Sequence, residues 1–158
     1  MIKELLPPEV AAEDCFGDPE LPAELFPEEE AHVARAVDKR RREFGTVRGL
    51  ARTALVRLGG PRVPLLPGER GAPGWPEGFT GSMTHCDGYR AAAVARTAEL
   101  AVVGIDAEPN EPLPDRGILQ TISLPAERPA LRELAAARPE VSWERLLFSA
   151  KESVYKAW

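Results

Sequence analysis

Apolar residues recur at helical intervals in three parts of the chain. Between positions 47 and 58, Val47, Leu50, Ala51, Ala54, Leu55 and Leu58 fall on one side of an α-helix, and Gly59-Gly60 supplies its stop. Pro27 followed by Glu28 marks a helix start further upstream. Residues 126–138 predict another helix and residues 142–158 a last one, with Ser142 as N-cap, Glu144 in the first turn and Trp143, Leu147, Ala150, Val154 and Ala157 as the buried stripe. The pattern changes in the middle. Residues 82–89 alternate small polar and apolar side chains and lead into a short Ala/Val strand at 90–96, which a turn at 97–100 would pair with a second strand at 101–108. On that second strand Ala101, Val103 and Ile105 share one face, and Val102, Gly104, Asp106 and Glu108 the other. Pro and Gly punctuate 61–81 and 109–114, which read as loops.

The chain's 158 residues, 44% hydrophobic and 28% charged, suit one ordinary domain or two very small ones. The longest apolar stretch, 91–105, is interrupted by Arg96 and Glu99, so no membrane span is expected. Residues 1–9 hold acids and two prolines where a secretory signal needs a basic segment and an apolar run, so a cytoplasmic location is expected. Cys15 and Cys86 stand 71 positions apart without metal-ligand spacing around either, which gives little support to a disulfide or a zinc site.

Charge is segregated. Residues 1–34 carry ten acids against Lys3 alone, whereas residues 35–62 carry nine bases against Asp38 and Glu43. A basic island inside a chain of net charge −5 argues against wholesale nucleic-acid binding and for a local site that takes a compact anion. Arg48 and Arg52, four apart, flank the apolar stripe of the 47–58 helix, and Lys39-Arg40-Arg41-Arg42 precedes it, so several guanidinium forks can converge on a phosphate. The alternative is a solvated helix face, the commoner fate of a charge run. Asp106 and Glu108, on one strand face, repel each other unless both meet water or share a cation. Glu152 and Lys156 share a face of the last helix, with Lys151 about one hundred degrees round. In isolation that pair is a surface contact worth about 0.2–0.5 kcal/mol.

Taken together, Gly104-Ile105-Asp106-Ala107-Glu108 and, some forty positions on, Phe148-Ser149-Ala150-Lys151-Glu152-Ser153-Val154-Tyr155-Lys156-Ala157-Trp158 resemble the paired motifs of the Sfp-type 4'-phosphopantetheinyl transferases. Ser82-Met83-Thr84-His85-Cys86-Asp87-Gly88-Tyr89 and Arg40-Arg41-Arg42-Glu43-Phe44 with Val47-Arg48 match in kind and order, so the similarity spans most of 38–158. It is closest to the enterobactin-synthetase-like, actinobacterial-type branch. The resemblance implies an α+β fold of two pseudo-symmetric halves, each a helix on a small antiparallel sheet, with coenzyme A in the cleft between them. The first half would occupy residues 1–100, and the second would begin at 101–158.

The implied reaction transfers the phosphopantetheine arm of coenzyme A to a serine of an apo acyl or peptidyl carrier protein and releases adenosine 3',5'-bisphosphate. Such priming serves fatty acid, polyketide, nonribosomal peptide and siderophore biosynthesis. Asp106, Glu108 and Glu152 would hold Mg²⁺, and Glu152 would also take the serine proton, with Lys156 as the second catalytic residue. Arg40, Arg48, Ser82, Thr84, His85, Lys151 and Lys156 would bind coenzyme A. Relatives tend to carry a base in the loop before the strand; here Pro67 or Glu69 replaces it and Arg70 is the nearest cation. Arg41 and Arg52 are secondary choices. The expected partners are coenzyme A and the carrier protein, with neither nucleic acid nor membrane.

Two other readings use the same residues. An Arg-rich helix could engage an acidic protein or nucleic acid, and three carboxylates with Mg²⁺ could serve a nuclease. The last helix runs to Trp158 without a Gly, Asn or Pro stop, from which a truncated or cleaved enzyme is expected, a monomer or one completed by a separate C-terminal fragment.

Overall fold

A computed structural model describes residues 1–20, 23–68 and 71–158. Its architecture is α+β. A 3₁₀ turn at Ile2–Glu4 leads to β1 (Ala11–Phe16), α1 (Pro27–Val33), α2 (Asp38–Arg57), β2 (Phe79–Cys86), β3 (Tyr89–Arg96), α3 (Arg116–Ile122), α4 (Glu127–Ala137) and α5 (Trp143–Ala157). The three strands form one antiparallel sheet in the order β1-β3-β2, with Ala11 opposite Val94 and Phe79 opposite Arg96.

Central β3 is covered on both faces, which explains why it reads as an almost unbroken run of small residues. Ala92 and Val94 pack on Ala51, Ala54 and Leu55 of α2 and on Leu65, while Tyr89, Ala91, Ala93 and Ala95 pack on Ile2, Ala12, Val103 and Ile105. Alanines let both layers approach closely. Leu55 and Leu65 have no exposed surface, and burying each contributes about 1.5–3 kcal/mol.

The sheet corrects the predicted strand pairing. The hairpin closes at Asp87-Gly88, between Cys86 and its partner Tyr89, not at 97–100, and the partner of β3 starts at Phe79. Residues 101–108 belong to no strand and do not pair with β3, whose two edges β1 and β2 already occupy. Among the described residues, the part of the second half at 101–158, expected to be incomplete in this chain, contributes helices and no strand. The helix begun at Pro27 ends at Val33, and α2 starts afresh at Asp38 after an extended Val37. Its stop is as expected: Gly59 adopts a φ of 73° and Gly60 N donates to Leu55 O at 2.8 Å. Cys15 and Cys86 are free thiols, both pushed above their ordinary range by burial. No helix among the described residues is long and apolar enough to cross a membrane.

α5 departs from its predicted stripe. Val154 is 70% exposed and Ala150 is also exposed, while Trp143, Leu147 and Ala157 are only half-buried. Ser142 occupies the N-cap, but its hydroxyl makes no capping bond; its backbone N–H donates to Asn110 Oδ1 at 2.8 Å. What orients the helix is close approach at Gly104, where a Cβ would stand 2.0 Å from Ser153 O and 2.9 Å from Ala157 Cβ.

One buried carboxylate ties α1, α2 and the loop after α2. Glu29, at the third position of α1, accepts from Phe26 N at 3.0 Å, from Arg52 Nη1 at 2.8 and 2.9 Å, and from Leu65 N at 2.8 Å. Replacing Glu29 by Ala leaves the Arg52 guanidinium buried without its anion and is expected to cost about 3–5 kcal/mol. Glu30→Ala, which removes an exposed partner of Arg41, should cost under about 1 kcal/mol. Urea unfolding of the two variants measures the contrast, and equal losses would contradict it.

Candidate functional site

Edge strand β2 separates two groups of side chains, because Thr84 and His85 point to opposite faces. On the first face, Ser82 Oγ donates to Ile105 O at 3.4 Å, Thr84 Oγ1 donates to Asp106 Oδ1 at 3.3 Å, and Ala107 N donates to Thr84 Oγ1 at 3.0 Å. These hydroxyls, rather than a backbone ladder, fasten residues 105–107 to the sheet. The structure thus uses Ser82 and Thr84, expected to bind coenzyme A, to fix the segment that carries Asp106.

The face alternation of 101–108 survives the loss of the ladder: Val103 and Ile105 enter the core, whereas Asp106 and Glu108 turn away from it to meet cations of α5. Lys156 Nζ lies 2.5 Å from Asp106 Oδ1 and 3.4 Å from Thr84 Oγ1. The pairing read from the sequence, Glu152 with Lys156, is replaced by this longer-range one. Glu108 is held by Arg145 at 2.9 Å, and Arg145 also caps Glu111 O and Pro112 O.

Among the described residues, no three His, Cys, Asp or Glu side chains are grouped to hold a metal ion. The expected Mg²⁺ ligands Asp106, Glu108 and Glu152 are not gathered here: Glu108 pairs with Arg145 and Asp106 with Lys156. One feature does suit a hard cation. Asp106 Oδ2 is buried and has no hydrogen-bond partner among the described residues, an open carboxylate oxygen. That fits an ion that takes one or two protein carboxylates and fills its shell with substrate phosphate and water.

On the second face His85 Nε2 lies 3.0 Å from Arg40 Nη1 and 3.5 Å from Glu43 Oε2. Burial lowers the His85 pKa below its ordinary value; Glu43 opposes that shift, and Arg40, Arg90 and Lys156 add to it. One turn further along α2 from Phe44, buried Arg48 stacks on that ring at 3.6 Å and donates from Nε to Leu65 O at 3.2 Å. Burial lowers the Arg48 pKa to about 10, so it remains a cation at neutral pH.

Four of the nine bases in the basic block pair with acids of the acidic block. Arg52 pairs with Glu29, Arg41 with Glu30, Arg57 with Glu13 and Arg62 with Glu24. Part of the basic island is thus a structural seam between α2 and the acidic N-terminal segment, and Arg41 and Arg52 are committed to it. Lys151 is likewise occupied, 2.6 Å from Ile122 O and 2.7 Å from Glu127 Oε2, joining α5 to the α3–α4 corner rather than facing the Asp106 group. Arg70 lies outside the described residues. A groove of about 390 Å³ beside Gly49, Arg52, Thr53, Val56 and Arg57 holds only the secondary choice Arg52 among the expected ligands.

Sequence reasoning assigned no role to Glu43, Arg90 or Asp18. Arg90 is buried and reaches Asp18 Oδ1 at 3.1 Å, Asp18 Oδ2 at 3.2 Å and Glu43 Oε1 at 3.4 Å. The only local signal was an arginine opening an otherwise apolar strand.

Residues 28–95 match the family model of the 4'-phosphopantetheinyl transferase N-terminal domain, and residues 102–158 that of the 4'-phosphopantetheinyl transferase superfamily. The chain is 64% identical over 160 residues to the 4'-phosphopantetheinyl transferase Svp of Streptomyces mobaraensis, covering 100% of this chain and 65% of that protein. It is 50% identical over 151 residues to PptT of Mycobacterium tuberculosis, covering 95% of this chain and 64% of that protein. With Npt of Nocardia iowensis the identity is 49% over 158 residues, covering 100% of this chain and 69% of that protein. The chain thus spans about two thirds of the length of these relatives, and over that span it belongs to the 4'-phosphopantetheinyl transferase superfamily.

Proposed function

We propose that the protein transfers the 4'-phosphopantetheine arm of coenzyme A to a serine hydroxyl of an apo acyl or peptidyl carrier protein, leaving adenosine 3',5'-bisphosphate. The observation that carries this reading is that the end of β2 presents the Arg40–His85 pair on one face and Lys156 with the unpaired oxygen of Asp106 on the other, in a chain related to named transferases. Guanidinium and ammonium donors suit phosphate oxygens, and a carboxylate oxygen suits the hard cation that pyrophosphate chemistry uses.

In the proposed reaction the serine oxygen forms a bond to the phosphorus that carries pantetheine, and the bond from that phosphorus to the bridging oxygen of the nucleotide breaks. Glu152, half-buried on α5 one turn before Lys156, is the proposed acceptor of the serine proton. Lys156 donates to the oxygens that gain charge, after exchanging Asp106 for phosphate. Arg40 and Arg48 hold nucleotide phosphates, and His85 donates from its ring. Arg48 is positioned for this by Phe44 and Leu65, which fix its plane while its terminal nitrogens have no protein partner among the described residues. Mg²⁺, when bound at Asp106 with Glu108 or Glu152, supplies charge neutralisation to the pyrophosphate. The three acids need not form a closed cage, since phosphate and water complete such a shell.

The primary test is the mass of an apo carrier protein incubated with the full-length protein, coenzyme A and Mg²⁺. A phosphopantetheine increment is expected, and its absence would overturn the proposal. Chelation should abolish the increment, and Asp106→Asn should raise the Mg²⁺ concentration required; an unchanged requirement would remove Asp106 from the metal site. Lys156→Ala removes one charge-assisted hydrogen bond, about 1.5–3 kcal/mol, and should lower kcat/KM by roughly 10- to 150-fold. Arg40→Ala should raise KM for coenzyme A with a smaller effect on kcat, and steady-state kinetics at saturating carrier separates the two.

A further inference from the structure

The contacts of His85 contain a conflict that a single ring nitrogen cannot satisfy. A guanidinium has only donors, so the 3.0 Å contact from Arg40 Nη1 requires Nε2 to be an acceptor, with the ring neutral and its proton on Nδ1. A carboxylate has only acceptors, so the 3.5 Å contact with Glu43 Oε2 is favourable only when Nε2 carries a proton. Whether Nε2 is protonated therefore decides which neighbour it keeps.

Glu43 is not free to move out of this choice. Its other oxygen faces Arg90 Nη2 at 3.4 Å, and Arg90 is fixed by two contacts to Asp18, by donation from Nη1 to Tyr89 O at 3.0 Å, and by almost complete burial. Asp18 in turn accepts from Thr46 Oγ1 at 3.0 Å. The carboxylate is held at one end of a buried chain that joins α2 to β3. Arg40, by contrast, is exposed and can leave.

We propose that Glu43 is a positioning residue of the coenzyme A site: when a phosphate ester draws Arg40 away from His85, Nε2 takes up a proton and donates it to Glu43, so that phosphate binding and proton uptake by His85 are linked. This rests on the transferase reading, which assigns the phosphates to Arg40 and His85. The proton comes from solvent, and no covalent bond changes. The other charged groups around the ring fit the same cycle. In the unliganded protein, burial together with Arg40 of α2, Arg90 of β3 and Lys156 of α5 favours the neutral imidazole against Glu43, and Lys39 and Asp87 pair with each other at the exposed rim. A bound phosphate dianion offsets Arg40 and Lys156 and leaves Glu43 as the decisive neighbour. Uptake of one proton weakens binding by up to about tenfold for each pH unit of rise between the lowered pKa of His85 in the free protein and its higher pKa in the complex.

His32 and His85 are the chain's two histidines, so nitrogen-detected NMR of the full-length protein can resolve the protonation of both rings. Titration with coenzyme A at neutral pH should convert His85 from the Nδ1–H tautomer to the doubly protonated ring. Calorimetry in buffers of different ionisation enthalpy should show that Glu43→Gln binds coenzyme A more weakly, with less proton uptake than the wild type. If coenzyme A binds while His85 stays neutral in the wild type, the Glu43 proposal is overturned and the transferase reading stands. If coenzyme A does not bind at all, both fall. The wild-type NMR result needs no variant, so misfolding of Glu43→Gln would not protect the proposal.

Discussion

The Glu29 carboxylate has no exposed surface and takes hydrogen bonds from Phe26 N, Leu65 N and the Arg52 guanidinium, so three separate parts of the chain meet at one buried charge. Leu65 then passes the constraint on: its N–H is held by Glu29, and its carbonyl accepts from Arg48 Nε. The orientation of an arginine in the candidate site therefore depends on an anion two contacts away, in a helix that itself carries no site residue. A buried ion pair is poor evidence for net stability, since desolvation offsets much of the attraction. What it does supply is register, because one carboxylate takes hydrogen bonds from α2, from the start of α1 and from the loop after α2 together.

A second constraint is the width of β3. Its alanines allow α2 on one side and residues 103–105 on the other to come close enough to share one thin sheet. Because β2 forms the edge of that sheet, its alternating side chains serve both layers: Thr84 fastens the Asp106 segment, and His85 meets Arg40 and Glu43 on α2. The site is assembled around the end of one edge strand, and its two groups come from elements that are distant in sequence.

Much of this was legible from local pattern. The 3.6-residue period located α2 and α5, and period two placed Asp106 and Glu108 on the same side, because an extended chain alternates whether or not it is paired. Pairing itself was not legible. Which strand occupies which edge of β3 depends on β1, whose short Ala11-Ala12-Glu13-Asp14 stretch carries no clear alternation. The stripe of α5 misled at Ala150 and Val154, which are exposed, while its last member Ala157 meets Gly104. The acidic and basic blocks were visible as opposites, yet nothing in composition says that they neutralise each other across α2. The Glu43–Arg90–Asp18 chain joins residues 47 and 72 positions apart, beyond the reach of any helical or strand period.

The same pairing separates structural from available cations. Arg52 and Arg90 are buried against carboxylates, so recruiting either to a ligand would strand a negative charge at a cost of several kcal/mol. Arg40 and Arg48 rest on neutral acceptors, a ring nitrogen and a backbone carbonyl, and an incoming phosphate can engage their guanidinium groups without uncovering a buried anion. Lys156 is the intermediate case, since it leaves Asp106 behind when it moves. In the proposed reaction, a divalent cation held at Asp106 would offset the negative charge that Lys156 uncovers.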